Sequence, residues 1–182
     1  MKQLFSLFAL FFIFSCSDMK KGSQMEQISE LQMRLDKISA SWNSFDLKSI
    51  DSLHQISSTV IDSIEFYYNG QEIEKNRAII LDNYKQGLIK FKEMQKIHSF
   101  LPNVLTEKAK ALSSLKKDIE QGSGRREKYD EYISFEKREV AMIYEQFENY
   151  LTLKESSFNQ YENSKMEVES LLNELKTDKL SR

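Results

Sequence analysis

The chain carries few side chains that could meet to do chemistry. His54 and His98 are its two histidines. Neither has a cysteine, a carboxylate or a second histidine at i+3 or i+4, the spacing at which one helix face offers two ligands to a metal ion. His98 falls on an apolar stripe and reads as a polar residue within or beside a core. His54, next to Leu53, reads as a boundary residue. Glu72/Glu74 and Glu167/Glu169 are close pairs of acids, the kind of pair that general acid–base work needs. Residues two apart on a helix point in different directions, so these read as solvated faces. Glu131, three residues after Lys128, has the spacing of an exposed helical ion pair. The serines between Ser49 and Ser63 have no base arranged beside them. Gly122-Ser123-Gly124-Arg125-Arg126 is glycine-rich, but it lacks the phosphate-loop spacing and its Lys-Ser/Thr ending. No dinucleotide-binding glycine pattern, zincin motif or CxxC occurs. The sequence therefore nominates no catalytic, cofactor-binding or metal-ligating residue, and the expectation is a protein that is not an enzyme.

Cys16 is the single cysteine. It cannot form an internal disulfide, and its setting gives it another role. Met1-Lys2-Gln3 carries one positive charge. Leu4 to Phe14 is apolar except for Ser6. Eleven residues make a helix of about 16 Å against a hydrocarbon core of about 30 Å, too short to span but suited to a secretory signal. Ile13-Phe14-Ser15-Cys16 comes directly after. This resembles the lipobox of bacterial lipoproteins, with an aliphatic residue three before the cysteine and a small one just before it. Phe14 is bulkier than the usual residue there. The resemblance covers only these first residues. It implies cleavage before Cys16, a diacylglycerol thioether on its sulfur and a further acyl chain on its freed amine. One acyl chain binds a membrane marginally, whereas two or more anchor it stably. Ser17 is not the aspartate associated with inner-membrane retention, and Lys20 and Lys21 break the acidic stretch associated with surface export. The expected address is the outer membrane, facing the periplasm.

Loss of residues 1–15 removes one basic residue, Lys2, from a balance of 26 basic to 28 acidic, so the remainder is mildly acidic. Such a balance argues against a nucleic-acid surface, which needs a basic face. Glu, Lys, Leu and Gln dominate and favour helix. The expected organisation is a signal peptide over 1–15, a lipidated cysteine and polar tether over 16–24, a helical domain over 25–178 and a short tail over 179–182.

Two turn signals divide the helical domain. Asn69-Gly70 is one and Gly122-Ser123-Gly124 the other, with glycine as the helix stop and Ser123 available to cap the next helix. Three arms result, roughly 25–68, 71–121 and 125–178. Each carries an apolar stripe at steps of three and four. The first reads Ile28, Leu31, Leu35, Ile38, Trp42, Phe45, slips by one, and resumes as Ile50, Leu53, Val60, Ile64, Tyr67. Asn43, Ser44 and Asp46 can cap helix ends at that slip, so a kink or loop is expected at 43–47. The second reads Ile80, Tyr84, Phe91, Met94, Leu101, Leu105, Leu112, Leu115, Ile119, with Gly87, His98 and Lys108 in the gaps. Its register passes through Pro102 and predicts a kinked but continuous arm. The third reads Val140, Tyr144, Phe147, Leu151, Phe158, Tyr161, Val168, Leu172, Leu175, interrupted by Lys154 and Lys165.

These patterns predict an all-α fold: an elongated antiparallel three-helix bundle or coiled coil with kinked arms. Arms of this length would extend about 75 Å at 1.5 Å per residue. Tyr132 and Tyr150 lie off the stripe and could form a protein-binding patch. Arg125, Arg126 and Lys128 begin the third arm, where the helix dipole disfavours cations, and could face an acidic lipid or partner. Ile79, Ile97, Ile143 and Leu171 widen the stripes and could fill the core or meet a second copy, which leaves the oligomeric state open. The leading expectation is a cell-envelope lipoprotein, held to the membrane through Cys16, whose helical rod is a scaffold, spacer or docking module for an envelope protein. The alternative is a carrier or sensor of a small apolar or lipid ligand, suggested by the aromatic-rich third arm and by interruptions such as Gly87, which could open a gap in the core.

Overall fold

The computed structural model describes residues 2–68 and 73–180, with side chains over 20–68 and 73–179. The side chains of the expected signal peptide and of Cys16, the Asn69-Gly70 turn, Glu72 and the last two residues lie outside these. Among the described residues the chain is all-α, with no strand. Its helices are Lys2–Asn43 (α1), Leu47–Tyr68 (α2), Lys75–Gln121 (α3) and Tyr129–Leu180 (α4), with one 3₁₀ turn at Arg126–Lys128. No helix among them is long and apolar enough to cross a membrane.

The expected slip in the first arm is a break between α1 and α2. Ser44 Oγ donates to the Ser41 carbonyl (2.6 Å), closing the end of α1. Asp46 Oδ1 accepts from the Ser49 amide (3.2 Å), as an N-cap does. Helix α3 continues through Pro102.

The chain packs as two compact units. One comprises residues 1–44 and 102–145, the other 45–101 and 146–182. Each unit is a bundle of three helical segments. In the first, Lys21 and Gln32 of α1 reach Glu120 and Lys116 of α3, so α1 and α3 run antiparallel. The turn after α3 sends α4 back beside it. In the second, α2 meets α3 through Asp51–Gln95 and Glu65–Lys85, and α3 meets α4 through Phe91–Phe158 and Tyr84–Tyr161. Both pairs are antiparallel.

The stripes of α1 and α3 are the cores expected: Ile28, Leu31, Leu35, Ile38 and Trp42, then Tyr84, Phe91, Met94, Leu101, Leu105, Leu112, Leu115 and Ile119 are all buried. The stripe of α4 is half corrected. The buried series is Tyr129, Ile133, Glu136, Val140, Ile143 in the first unit and Phe147, Tyr150, Ser157, Tyr161, Ser164, Val168, Leu171 in the second. Val140, Phe147, Tyr161, Val168 and Leu172, all buried, agree with the apolar stripe. Tyr144, on the same stripe, is 54 % exposed, while Tyr150, expected on the surface, is 0 % exposed. From Tyr144 to Lys165, every second seam position therefore lies one residue earlier than the apolar count places it. Helix α2 also departs from its apolar count, in the other direction: Ser57 and Ile61 are buried, and Val60 only half-buried.

Polar seam residues explain the difference. Ser157 Oγ donates to the Leu153 carbonyl and Ser164 Oγ to that of Gln160, each at 2.5 Å, so their own helix satisfies them. Being small, they bring the α4 backbone close to α3 at Gly87. A Cβ on Gly87 would stand 3.5 Å from Gln160 Cβ and 3.6 Å from the Ser157 carbonyl oxygen. Gly87 thus opens no gap, because α4 fills the space beside it. In the first unit, Lys108 of α3 meets Glu136 of α4 at 2.9 Å and Glu139 at 3.7 Å. The first two side chains are only 13 % and 12 % exposed.

The turn after α3 is a Schellman motif. The Ser123 amide donates to the Asp118 carbonyl (2.9 Å) and the Gly122 amide to that of Ile119 (3.2 Å). Gly122 sits at φ +62°, as the sequence predicts for a helix stop. Ser123 does not cap α4; its hydroxyl donates to Asp118 Oδ1 instead (3.0 Å). The polar stretch 17–24, expected as a tether, is helical from Lys20 to Gln24. Gln24 is buried, with Nε2 2.5 Å from Asp130 Oδ1, because the side of α4 offers this amide a partner. The packed region also outruns residue 178, since Lys179 Nζ lies 3.9 Å from the centroid of the Phe66 ring.

Two substitutions test this packing by denaturant unfolding. Gly87→Ala should be neutral or stabilise by up to about 1 kcal/mol, because the helix gains propensity and the methyl meets ordinary contacts. A loss well beyond 1 kcal/mol would mean a tighter interface. Lys108→Met should cost about 3 kcal/mol by stranding Glu136, and adding Glu136→Leu should restore most of it.

Candidate functional site

The sequence-nominated groups do not converge. His54 is half-buried on α2. Glu167 and Glu169 lie on α4. Glu167 lines a shallow cleft of about 220 Å³ with Arg77, Ile80, Ser170, Leu171 and Glu174. Arg77 Nη1 is paired with Glu174 at 2.8 Å across that cleft. Three hydroxyls of α2 bond back into their own helix: Ser52 to Lys48, Thr59 to Gln55, Ser63 to Thr59. No group of three His, Cys, Asp or Glu among the described residues could hold a metal ion.

One nominated residue does enter a polar cluster, and its main partner is one the sequence places on the surface. His98 Nε2 lies 2.7 Å from the Tyr150 hydroxyl, with ring centroids 5.2 Å apart. Tyr150 occupies the α4 seam and also packs on Phe45, at 5.4 Å between centroids. Lys154, which interrupts the apolar stripe, places Nζ 4.4 Å from the centroid of the Phe45 ring. Asp51, held by Gln95 Nε2 at 2.9 Å, faces the pair electrostatically from α2. Burial lowers the pKa of His98 below the usual imidazole value, against the upward pull of Asp51. Burial raises that of Tyr150 well above the ordinary phenol range, and Asp51 adds to it. Both groups are thus held neutral near pH 7. A neutral imidazole can accept the Tyr150 proton; a protonated one must donate instead, reversing the bond. The arrangement buries a hydroxyl with its partner.

The second cluster surrounds the turn between α3 and α4. A groove of about 300 Å³ is lined by residues including Lys20, Lys21, Gln24, Glu120, Arg126 and Tyr129. Lys20 Nζ pairs with Asp130 at 2.9 Å, Lys21 Nζ donates to the Glu120 carbonyl at 2.8 Å, and Arg126 Nε to that of Gly122 at 2.5 Å. The Tyr129 hydroxyl meets the carbonyls of Asp118 and Ser123. Lys20 and Gln24 hold the Asp130 carboxyl below its ordinary pKa. The sequence names Arg126 as a misplaced cation. The approach of Lys20 and Lys21 to it depends on helix pairing, which no local pattern encodes.

Of the two tyrosines expected to form a surface patch, only Tyr132 is exposed. Its neighbours on the same flank of α4 are the exposed Phe135 and Met142. Phe135 is overlain by Lys108 Nζ at 5.3 Å and by the Arg138 guanidinium at 6.0 Å. Ile143 and Leu171 fill cores, and Ile79 is exposed. Comparison with protein-family models, curated proteins and solved structures finds no match.

The lowered pKa of His98 fixes a sign for stability against pH. The native state holds the ring neutral, so its contribution is complete above about pH 6.5, the unfolded value, and is lost as pH falls through the lower folded value. Denaturation midpoints followed from pH 8 to 5 should fall, and His98→Gln should remove part of that slope. An unchanged slope in the variant would assign the decline to carboxylates.

Proposed function

We propose that this chain is a cell-envelope lipoprotein, anchored by acyl chains on Cys16, whose helical bundle serves as a non-enzymatic scaffold, spacer or docking module for an envelope protein. The observation that carries the reading is the run Leu4–Phe14 ending in Ile13-Phe14-Ser15-Cys16, with the chain's sole cysteine at its end. Lipid on the sulfur gives an exported thiol a chemical role, and several acyl chains suffice for stable attachment. The bundle supports the non-catalytic part. Its reactive side chains are engaged in packing: His98 with Tyr150, Lys108 with Glu136, Arg77 with Glu174. The exposed Tyr132, Phe135 and Met142 flank gives a docking surface a place. The membrane that the anchor enters is read as the outer membrane, from Ser17 and the two lysines after it. The alternative, a carrier or sensor of a small apolar or lipid ligand, rests on the aromatic-rich third arm, since α4 fills the space beside Gly87.

The test is chemical. Metabolic labelling with a palmitate analogue should mark the wild-type protein, and its N-terminal peptide should begin at an acylated Cys16. Cys16→Ser should abolish labelling and leave the leader uncleaved. An unmodified Cys16 in native cells would remove both the anchor and the address. Photocrosslinking from Phe135 in the anchored protein should then recover one reproducible envelope partner, and recovery of none would count against the docking role.

A further inference from the structure

We propose that the groove at the α3–α4 turn is a seat for the phosphate of an anionic glycerophospholipid headgroup. The proposal rests on the lipidation reading, since it names what the anchored bundle meets at the bilayer surface. Three cations line the groove, Lys20, Lys21 and Arg126, against one carboxylate, Glu120. Asp130 stands beside them, paired with Lys20 and accepting from Gln24, so the three cations face two carboxylates in all. Each cation is oriented by one contact and keeps further donors. Lys21 Nζ spends one on the Glu120 carbonyl, and the Arg126 guanidinium spends its Nε on the carbonyl of Gly122. The guanidinium is laid across Gly122 so closely that a Cβ there would stand 2.6 Å from Nη2. Glycine at 122 therefore serves the turn, through φ +62°, and also the placement of this guanidinium.

A structural role at the end of α3 accounts for part of this, because cations favour a helix C-terminus. Arg126 spends one donor there and Lys128 is paired with Glu131 at 3.2 Å, which leaves the further donors of Lys20, Lys21 and Arg126 over the groove. A bound phosphate would accept from those donors together, as charge-assisted hydrogen bonds. Position selects the headgroup. Lys20 lies four residues beyond Cys16, about one helical turn of α1, so acyl chains on that cysteine would put the groove at the level of the phosphates. A cation near an anionic leaflet strengthens attachment about fivefold.

The experiment uses the mature protein purified with its native N-terminus and reconstituted in nanodiscs of phosphatidylcholine, with or without phosphatidylglycerol. The mass of the N-terminal peptide reports acylation independently. Amide exchange over residues 20–24 and 118–130 is expected to slow several-fold with phosphatidylglycerol and to recover in high salt. The triple variant Lys20→Gln, Lys21→Gln, Arg126→Gln should lose the effect while keeping its helicity. Should that variant fail to fold, the comparison of lipids and salt on the wild type still decides. Equal exchange in both lipids, with Cys16 acylated, would overturn the headgroup seat and leave the anchor standing. Equal slowing by inorganic phosphate in detergent would overturn it too, by showing a site for the free ion.

Discussion

Everything in this protein depends on burying one seam of α4 against two other helices in each unit. That helix is 52 residues long, and hydrophobic patterning alone allows two seams on it, one residue apart at alternate positions. The seam that wins carries Glu136, Ser157 and Ser164. It does so because it admits close helix approach where the residues are small and ionic pairing where they are charged. The two serines return their hydroxyls to their own helix and leave Gly87 room to meet α4. Lys108 answers Glu136 from α3. A buried ion pair adds little net stability over an apolar pair of the same volume. What it fixes is register, since a slip of either helix would strand a charge.

Much of the fold is legible in the amino-acid order. Strict three–four spacing in α1 and α3 names their cores almost residue for residue. Gly122 marks the stop of α3, because a helix that must reverse there needs a residue at positive φ. Asn43, Ser44 and Asp46 mark the break between α1 and α2. In α4, hydrophobicity alone points to the wrong seam at alternate positions. Phe158 and Leu151 outscore Ser157 and Tyr150 as apolar residues, but the smaller or hydrogen-bonding neighbour fits the space between helices. Tyr150 carries a hydroxyl that suggests a surface, and only the opposing His98 makes its burial inexpensive.

The candidate sites are less legible, and the reason is physical. His98 with Tyr150 and Asp51, and the lysines of α1 with Arg126, are clusters made of residues on different helices. Their meeting is fixed by how helices pair, which leaves no mark in local spacing. The Leu4–Cys16 run is the opposite case. A lipobox, which this run resembles, is read from a short segment, so such a signal would lie wholly in the sequence and not depend on the fold. The proposed address thus comes from the order of residues, and the contact surfaces come from the packing.

The most direct test of the α4 seam uses residues the protein already has. Nitration of the intact protein with tetranitromethane, with peptide mass spectrometry as the readout, compares Tyr144 with Tyr150 on one helix. The seam through Glu136, Ser157 and Ser164 leaves Tyr144 open to the reagent and shields Tyr150, so Tyr144 should be nitrated first, with Tyr150 reacting only after unfolding. Ready nitration of Tyr150 with protection of Tyr144 would put α4 in the other register and contradict the packing on which the rest is built.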